Sequence, residues 1–200
     1  MELIDCCKNL LLSRRSVYPK DFIHGAKISD ETIEEMLALA VWAPTHKLTQ
    51  PWHFKVFRND GVKQFFEKQA EIYKAITPAD KVSQGKLDKY AEKAGQVSHV
   101  IALIVKHDSG NRIPEIEEVV ATACALQNIY LSLPAFGISG YLSTGDVCYT
   151  PQMADYLQLE AGDKCLGFFQ LGVAKDGISQ TNRKRTDSKL KTQWIGKIKG

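Results

Sequence analysis

The sequence has none of the signatures of ready-made side-chain chemistry. Its five cysteines form no C-x-x-C pair and no metal-ligand spacing; Cys6 and Cys7 are adjacent and the total is odd. That excludes a disulfide-exchange motif and a zinc-type cluster and predicts reduced thiols used mainly for packing. There is no G-x-G-x-x-G after a strand, no H-E-x-x-H and no G-x-S-x-G, which removes a Rossmann dinucleotide site, metal hydrolysis and a serine-esterase elbow. The net charge is only +3, and the basic excess is concentrated in the tail from Arg183 to Lys199. With Trp194 as the one aromatic among those cations, stacking on bases has little support and no nucleic-acid partner is expected. Two acids, Glu2 and Asp5, precede any base, contrary to a signal peptide, so a cytoplasmic location is expected.

Charge is also missing from Val119 to Thr144, a stretch long enough to cross a bilayer. Gln127, Asn128, Pro134, Gly137 and Gly140 interrupt it, and a membrane helix would have to run through them. A helix buried on most faces, at a subunit interface, accounts for it better, and no membrane partner is expected.

What remains is a chain of 200 residues with 44% hydrophobic content, enough for one sizeable core and a single domain over residues 1–200. Leu3, Ile4, Cys7, Leu10 and Leu11 recur at helical spacing and predict an opening helix that ends near Ser13. Ser29 caps a second helix through Val41, and Val62 to Ile76 forms a third. The lysine-rich segment 77–95 predicts a helical excursion over the core, with a lid as one use. His53 to Arg58, Val100 to Val105 and Cys165 to Val173 read as strands, the second buried on both faces and central in the sheet. Glu115, Glu117 and Glu118 favour the start of a long helix that runs to Tyr130 and stops at Pro134. Thr150 before Pro151 caps a short helix through Leu157.

Three segments carry candidate chemistry. Arg14-Arg15-Ser16 puts two guanidinium groups and a hydroxyl on one connector, which can chelate a phosphate or form a solvated basic turn. The stretch Ala43 to Phe54 is an ordered loop, because Pro44 and Pro51 fix φ and lack N–H donors. Its His46, Lys47 and Gln50 can face an electron-rich planar ligand with Trp52 as a ledge; alternatively Trp52 plugs the core. Ser143-Thr144-Gly145 is a ligand-competent bend or a structural turn.

In this order and spacing the segments resemble the nitroreductase family of FMN-dependent oxidoreductases, above all its short members, over nearly the whole chain. The resemblance implies an α+β fold: an α/β sandwich with a mixed central sheet flanked by helices, in an intertwined homodimer with FMN at the interface. It implies that Arg14, Arg15 and Ser16 hold the phosphate and ribityl, and that His46 reaches the site of the partner subunit. Leu142, Ser143 and Thr144 would touch the flavin, and Arg183 or Arg185 would complete the phosphate site. Two positions depart from the pattern. Tyr18 stands where many relatives carry a cation near the reduced flavin, and Trp42 where close short relatives can carry arginine. The implied activity is ping-pong transfer of hydride from NADH or NADPH, through FMN, to nitroaromatics, quinones or similar acceptors. No catalytic side chain and no metal are expected, because the flavin carries the hard step. A same-fold flavoenzyme of specialised chemistry, such as dehalogenation or dehydrogenation, and a non-catalytic FMN-binding protein are the rivals.

Overall fold

A computed structural model describes residues 2–108, 110, 112–178 and 185–196. The chain opens with α1 (Leu3–Ser13). A connector leads to α2 (Asp30–Ala40), where Ser29 Oγ accepts the Thr32 N–H, the expected cap. Then follow β1 (Trp52–Arg58), α3 (Asp60–Ile76), α4 (Gln84–Gln96), β2 (His99–Val105), α5 (Glu115–Ser132) and β3 (Ser139–Ser143). The last elements are α6 (Pro151–Tyr156), capped by Thr150 Oγ1 as the sequence predicts, and β4 (Lys164–Gly172).

The strands lie in the order β1-β2-β4-β3. Where a mixed sheet was expected, all three pairings among these strands are antiparallel. β2 is central and buried at every residue, as its unbroken apolar run dictates. Alternation along the strands divides the core in two. Ile101, Leu103, Phe169 and Leu171 join Ile33, Met36, Ala121, Ala125 and Ile129 under α2 and α5. Val100, Ala102 and Phe168 join Phe65, Phe66, Val147 and Met153 on the other face, beneath α3 and α6. The result is a sheet sandwiched between helices.

The charge-free stretch divides physically into the remainder of α5, a 3-10 turn at Leu133–Phe136 and β3. Pro134 ends the helix, and Gly137 takes the left-handed conformation (φ 65°) that reverses the chain. One member of the acidic first turn of α5 has a different use from that expected. Glu118 is fully buried, and its two oxygens meet His107 Nδ1 at 2.7 Å and the Asp108 N–H at 2.9 Å, pinning the chain as it leaves β2.

Every residue of α1 is exposed, including Leu3, Ile4, Leu10, Leu11 and Leu12. Nothing else in the described chain covers its apolar side.

Candidate functional site

Three distant stretches of chain meet at Tyr130, in the last turn of α5. Its hydroxyl lies 3.2 Å from Ser16 Oγ and accepts the Leu142 N–H at 3.0 Å. The Arg14 guanidinium sits over its ring, 5.0 Å from the centroid, a cation–π contact. The ring meets Phe169 of β4 edge to face at 4.6 Å, which fixes its tilt. Val17 N–H donates to Gly140 O at 3.1 Å, closing the connector after α1 onto β3. Tyr18 stacks obliquely on Tyr141, centroids 4.6 Å apart; burial and the Tyr18 phenol push the Tyr141 hydroxyl above its ordinary pKa.

Beside this junction is a cleft of about 570 Å³ lined by Arg15, Ser16, Tyr18, Tyr130, Ser139 and Lys175 among others. Arg15 Nη1 turns back to Leu12 O and Arg14 O, at 2.6 and 2.8 Å, which also stops α1. Its Nε is buried with no partner among the described residues. A buried guanidinium N–H without an acceptor is costly. An anion in the cleft would satisfy it, and Ser16, which lines the same cleft, could share that anion, with Arg14 nearby over the Tyr130 ring.

β3 leads from this cleft to a second recess of about 190 Å³. Its walls are Ser143, Thr144, Gly145, Asp146 and Cys148 on one side and Gln69, Lys86, Lys89, Tyr90 and Lys93 on the other. Ser143 Oγ accepts from Gln170 Nε2 at 2.6 Å and donates to Phe168 O at 3.3 Å. Gln170 is fully buried, and its Oε1 has no partner among the described residues. Gly167 lets these strands approach: at φ 151°, a Cβ there would lie 2.9 Å from Leu142 Cδ1 and 3.1 Å from Ser143 O. Its place is at the irregularity where β2 and β4 shift register. The absence of a side chain at Gly167 thus admits Leu142 and Ser143.

The proline loop sits elsewhere. His46 shares a depression of about 360 Å³ with Pro44, Glu117, Val120 and Cys124, and its Nδ1 is 2.5 Å from Glu117 Oε2. Lys47 Nζ donates to Arg112 O at 3.1 Å, and the Gln50 N–H donates to Thr45 Oγ1 at 3.1 Å. Trp52 is only 7% exposed and belongs to the core under α2 and α5. The ledge reading of Trp52 is therefore corrected to the core plug: as first residue of β1 it faces inward. Lys47, Leu48 and Gln50 all have positive φ, 50°, 54° and 47°, conformations that non-glycine residues adopt at a cost.

Of the sequence candidates, the fold gathers Arg14, Arg15, Ser16 and Leu142 around Tyr130, and sets Ser143 and Thr144 in the adjoining recess. His46 borders neither space in its own chain. Arg185 is exposed and lines neither; Arg183 lies outside the described residues. Sequence reasoning missed Tyr130, Gln170 and the role of Tyr141. A polar-tipped aromatic near the end of an uncharged helix was the available signal for Tyr130.

Residues 11–173 match the sequence model of the nitroreductase family. The Escherichia coli (strain K12) protein YdjA, which carries the provisional name NAD(P)H nitroreductase, is 25% identical over 168 residues, covering 82% of this chain and 86% of that one. Among solved structures, a nitroreductase-like family protein from Bacillus cereus superposes with a TM-score of 0.80 at 21% identity, covering 94% of this chain and 95% of that one. The FMN-dependent nitroreductase NfnB from Mycobacterium smegmatis, solved in complex with NADPH, superposes with a TM-score of 0.73 at 18% identity, covering 98% and 100%. With the family's sequence pattern spanning most of its length and the family's fold in its backbone, this chain belongs to the nitroreductase family.

Proposed function

We propose that this protein is an FMN-dependent oxidoreductase that takes hydride from NADH or NADPH and passes it to a nitroaromatic, quinone or similar electron-poor acceptor in a ping-pong sequence. The observation that carries this reading is the junction at Tyr130, where Arg14, Ser16 and Leu142 converge beside the unpaired buried Nε of Arg15. Those groups fit a dianionic phosphate and a polyol chain. FMN, when bound, supplies a hydride-accepting ring nitrogen.

The chain's own task is binding and orientation. Arg14, Arg15 and Ser16 hold the phosphate end. Leu142, Ser143 and Thr144 back the ring, and Tyr130 ties that segment to the phosphate end so that both move as one body. Tyr18 offers no positive charge to the reduced ring, so the cationic partner usual at that position is absent. No side chain is assigned as acid or base; solvent delivers the protons.

The working form is a homodimer, located in the cytoplasm. Two observations favour the dimer: the apolar side of α1 is bare, and His46 sits away from the Ser16 cleft of its own chain. In a dimer His46 reaches the flavin of the partner subunit. The experiment is an anaerobic titration of the FMN-loaded protein with NADPH. Loss of the flavin absorbance is expected; an unchanged spectrum at millimolar NADPH overturns the proposal.

A further inference from the structure

Lys86, Lys89 and Lys93 stand at i, i+3 and i+7 on α4, one face of the helix. All three line the recess at Ser143–Cys148. The ion pairs made by lysines in the described chain belong to Lys20, Lys63, Lys68, Lys106 and Lys164, and to none of these three. Instead, Lys86 Nζ lies 4.0 Å over the Tyr73 ring and Lys93 Nζ 5.9 Å from that of Tyr90. Asp146 is the one carboxylate on the recess wall, so the cations outnumber it. Like charges on one helix face repel. Burial and the neighbouring Lys89 push the Lys93 ammonium below its ordinary pKa, so its charged form would be strengthened by an anion.

This basic site is not the one beside Arg15. Ser139 lines the Arg15 cleft and Ser143 the lysine recess. Four residue steps of β3 at about 3.3 Å each separate them by roughly 13 Å. FMN carries a single phosphate, and the Arg14–Ser16 groups account for it. A second cluster of cations opening beside the flavin-backing segment calls for a second phosphate-bearing molecule.

We infer that Lys86, Lys89 and Lys93 form a recognition site for the phosphate groups of the nicotinamide dinucleotide, so that α4 positions the hydride donor. The inference rests on the proposed function above and assigns a role to the lysine-rich excursion. The phosphate of FMN itself is the competing source of the same chemistry, and the test separates the two.

The experiment compares wild type, Lys89→Gln and Lys86→Gln/Lys89→Gln, all loaded with FMN, by anaerobic stopped-flow bleaching with two donors. One donor is NADPH; the other is N-benzyl-1,4-dihydronicotinamide, which carries no phosphate. The inference expects kcat/KM for NADPH to fall about tenfold per lysine removed and its salt dependence to flatten. It expects the rate with the benzyl donor and the affinity for FMN to be unchanged. The benzyl rate also serves as the control for folding, and the exposed Lys89 gives a variant that leaves the Tyr73 contact intact. An unchanged NADPH rate, an equal loss with both donors, or a loss of FMN affinity each overturns it. Absence of bleaching by either donor in wild type sinks the proposed function, and the inference with it.

Discussion

The hydroxyl of Tyr130 is bonded to Ser16 Oγ and to the Leu142 N–H, so one oxygen ties together the two segments proposed to hold the phosphate and the ring. Tyr130→Phe removes it while keeping the ring beneath Arg14 and against Phe169. The Leu142 N–H then loses its acceptor. We expect a stability loss of about 1 kcal/mol in urea denaturation and a weakening of FMN binding by about fivefold in a fluorescence titration. An unchanged FMN affinity would show that the hydroxyl is a fold contact alone. At this scale the sequence reveals chemical capacity but not partners. Arg14, Arg15 and Ser16 stood out as candidates because two guanidinium groups and a hydroxyl in a row can chelate a phosphate. Tyr130 was not, since its role depends on residues 114 positions before it and 12 after it in the chain. Glu118 was read as a helix-start charge, yet it is a buried acceptor for His107 and Asp108. Its neighbours Glu115 and Glu117 have the same local pattern, yet Glu115 is exposed and Glu117 half-exposed beside His46, so only packing distinguishes them.

Among the elements, three of the four strands were legible, the central one because an apolar run such as Val100 to Val105 has few homes besides the middle of a sheet; β3 was missed, because Ser139, Gly140 and Ser143 break its apolar pattern. The loop from Pro44 to Pro51 was recognised as ordered, but its three left-handed residues follow from contacts that no local pattern encodes. Lys47 is held by Arg112 O, and the Gln50 N–H by Thr45 Oγ1. Leu48 is 76% exposed at φ 54°, so its side chain contributes little to offset the backbone cost. Leu48→Gly should therefore raise stability by about 0.5–1 kcal/mol, the relief of the left-handed conformation less the entropy of the added glycine. Thermal melting of the variant checks this; a lower melting temperature would mean that the exposed leucine is covered in the working assembly.

For the whole molecule, the α+β sandwich and the family were implied by the order of the segments, whereas the division of the core into two layers, one on each face of the sheet, was not. Assembly was less legible, because an amphipathic α1 looks the same whether its apolar side meets the same chain or another. Eleven exposed residues make a helix that is marginal alone, and the Arg14–Ser16 connector continues directly from its end. Sedimentation of apo and holo protein should therefore show a dimer that FMN tightens by mass action; a holo monomer at micromolar concentration would contradict this. The same connectivity bears on biosynthesis. The Arg15–Ser16 cleft is walled by residues 13–21, 130–139 and 174–178, so a nascent chain carries Arg14 and Arg15 for most of its translation with no complete cleft beside them. Under the proposed assignment, FMN binding at this cleft can be completed only after residues 174–178 have been synthesised. A freshly released chain, with α1 bare and the cleft empty, is therefore expected to be cut by a protease faster than the FMN-loaded protein.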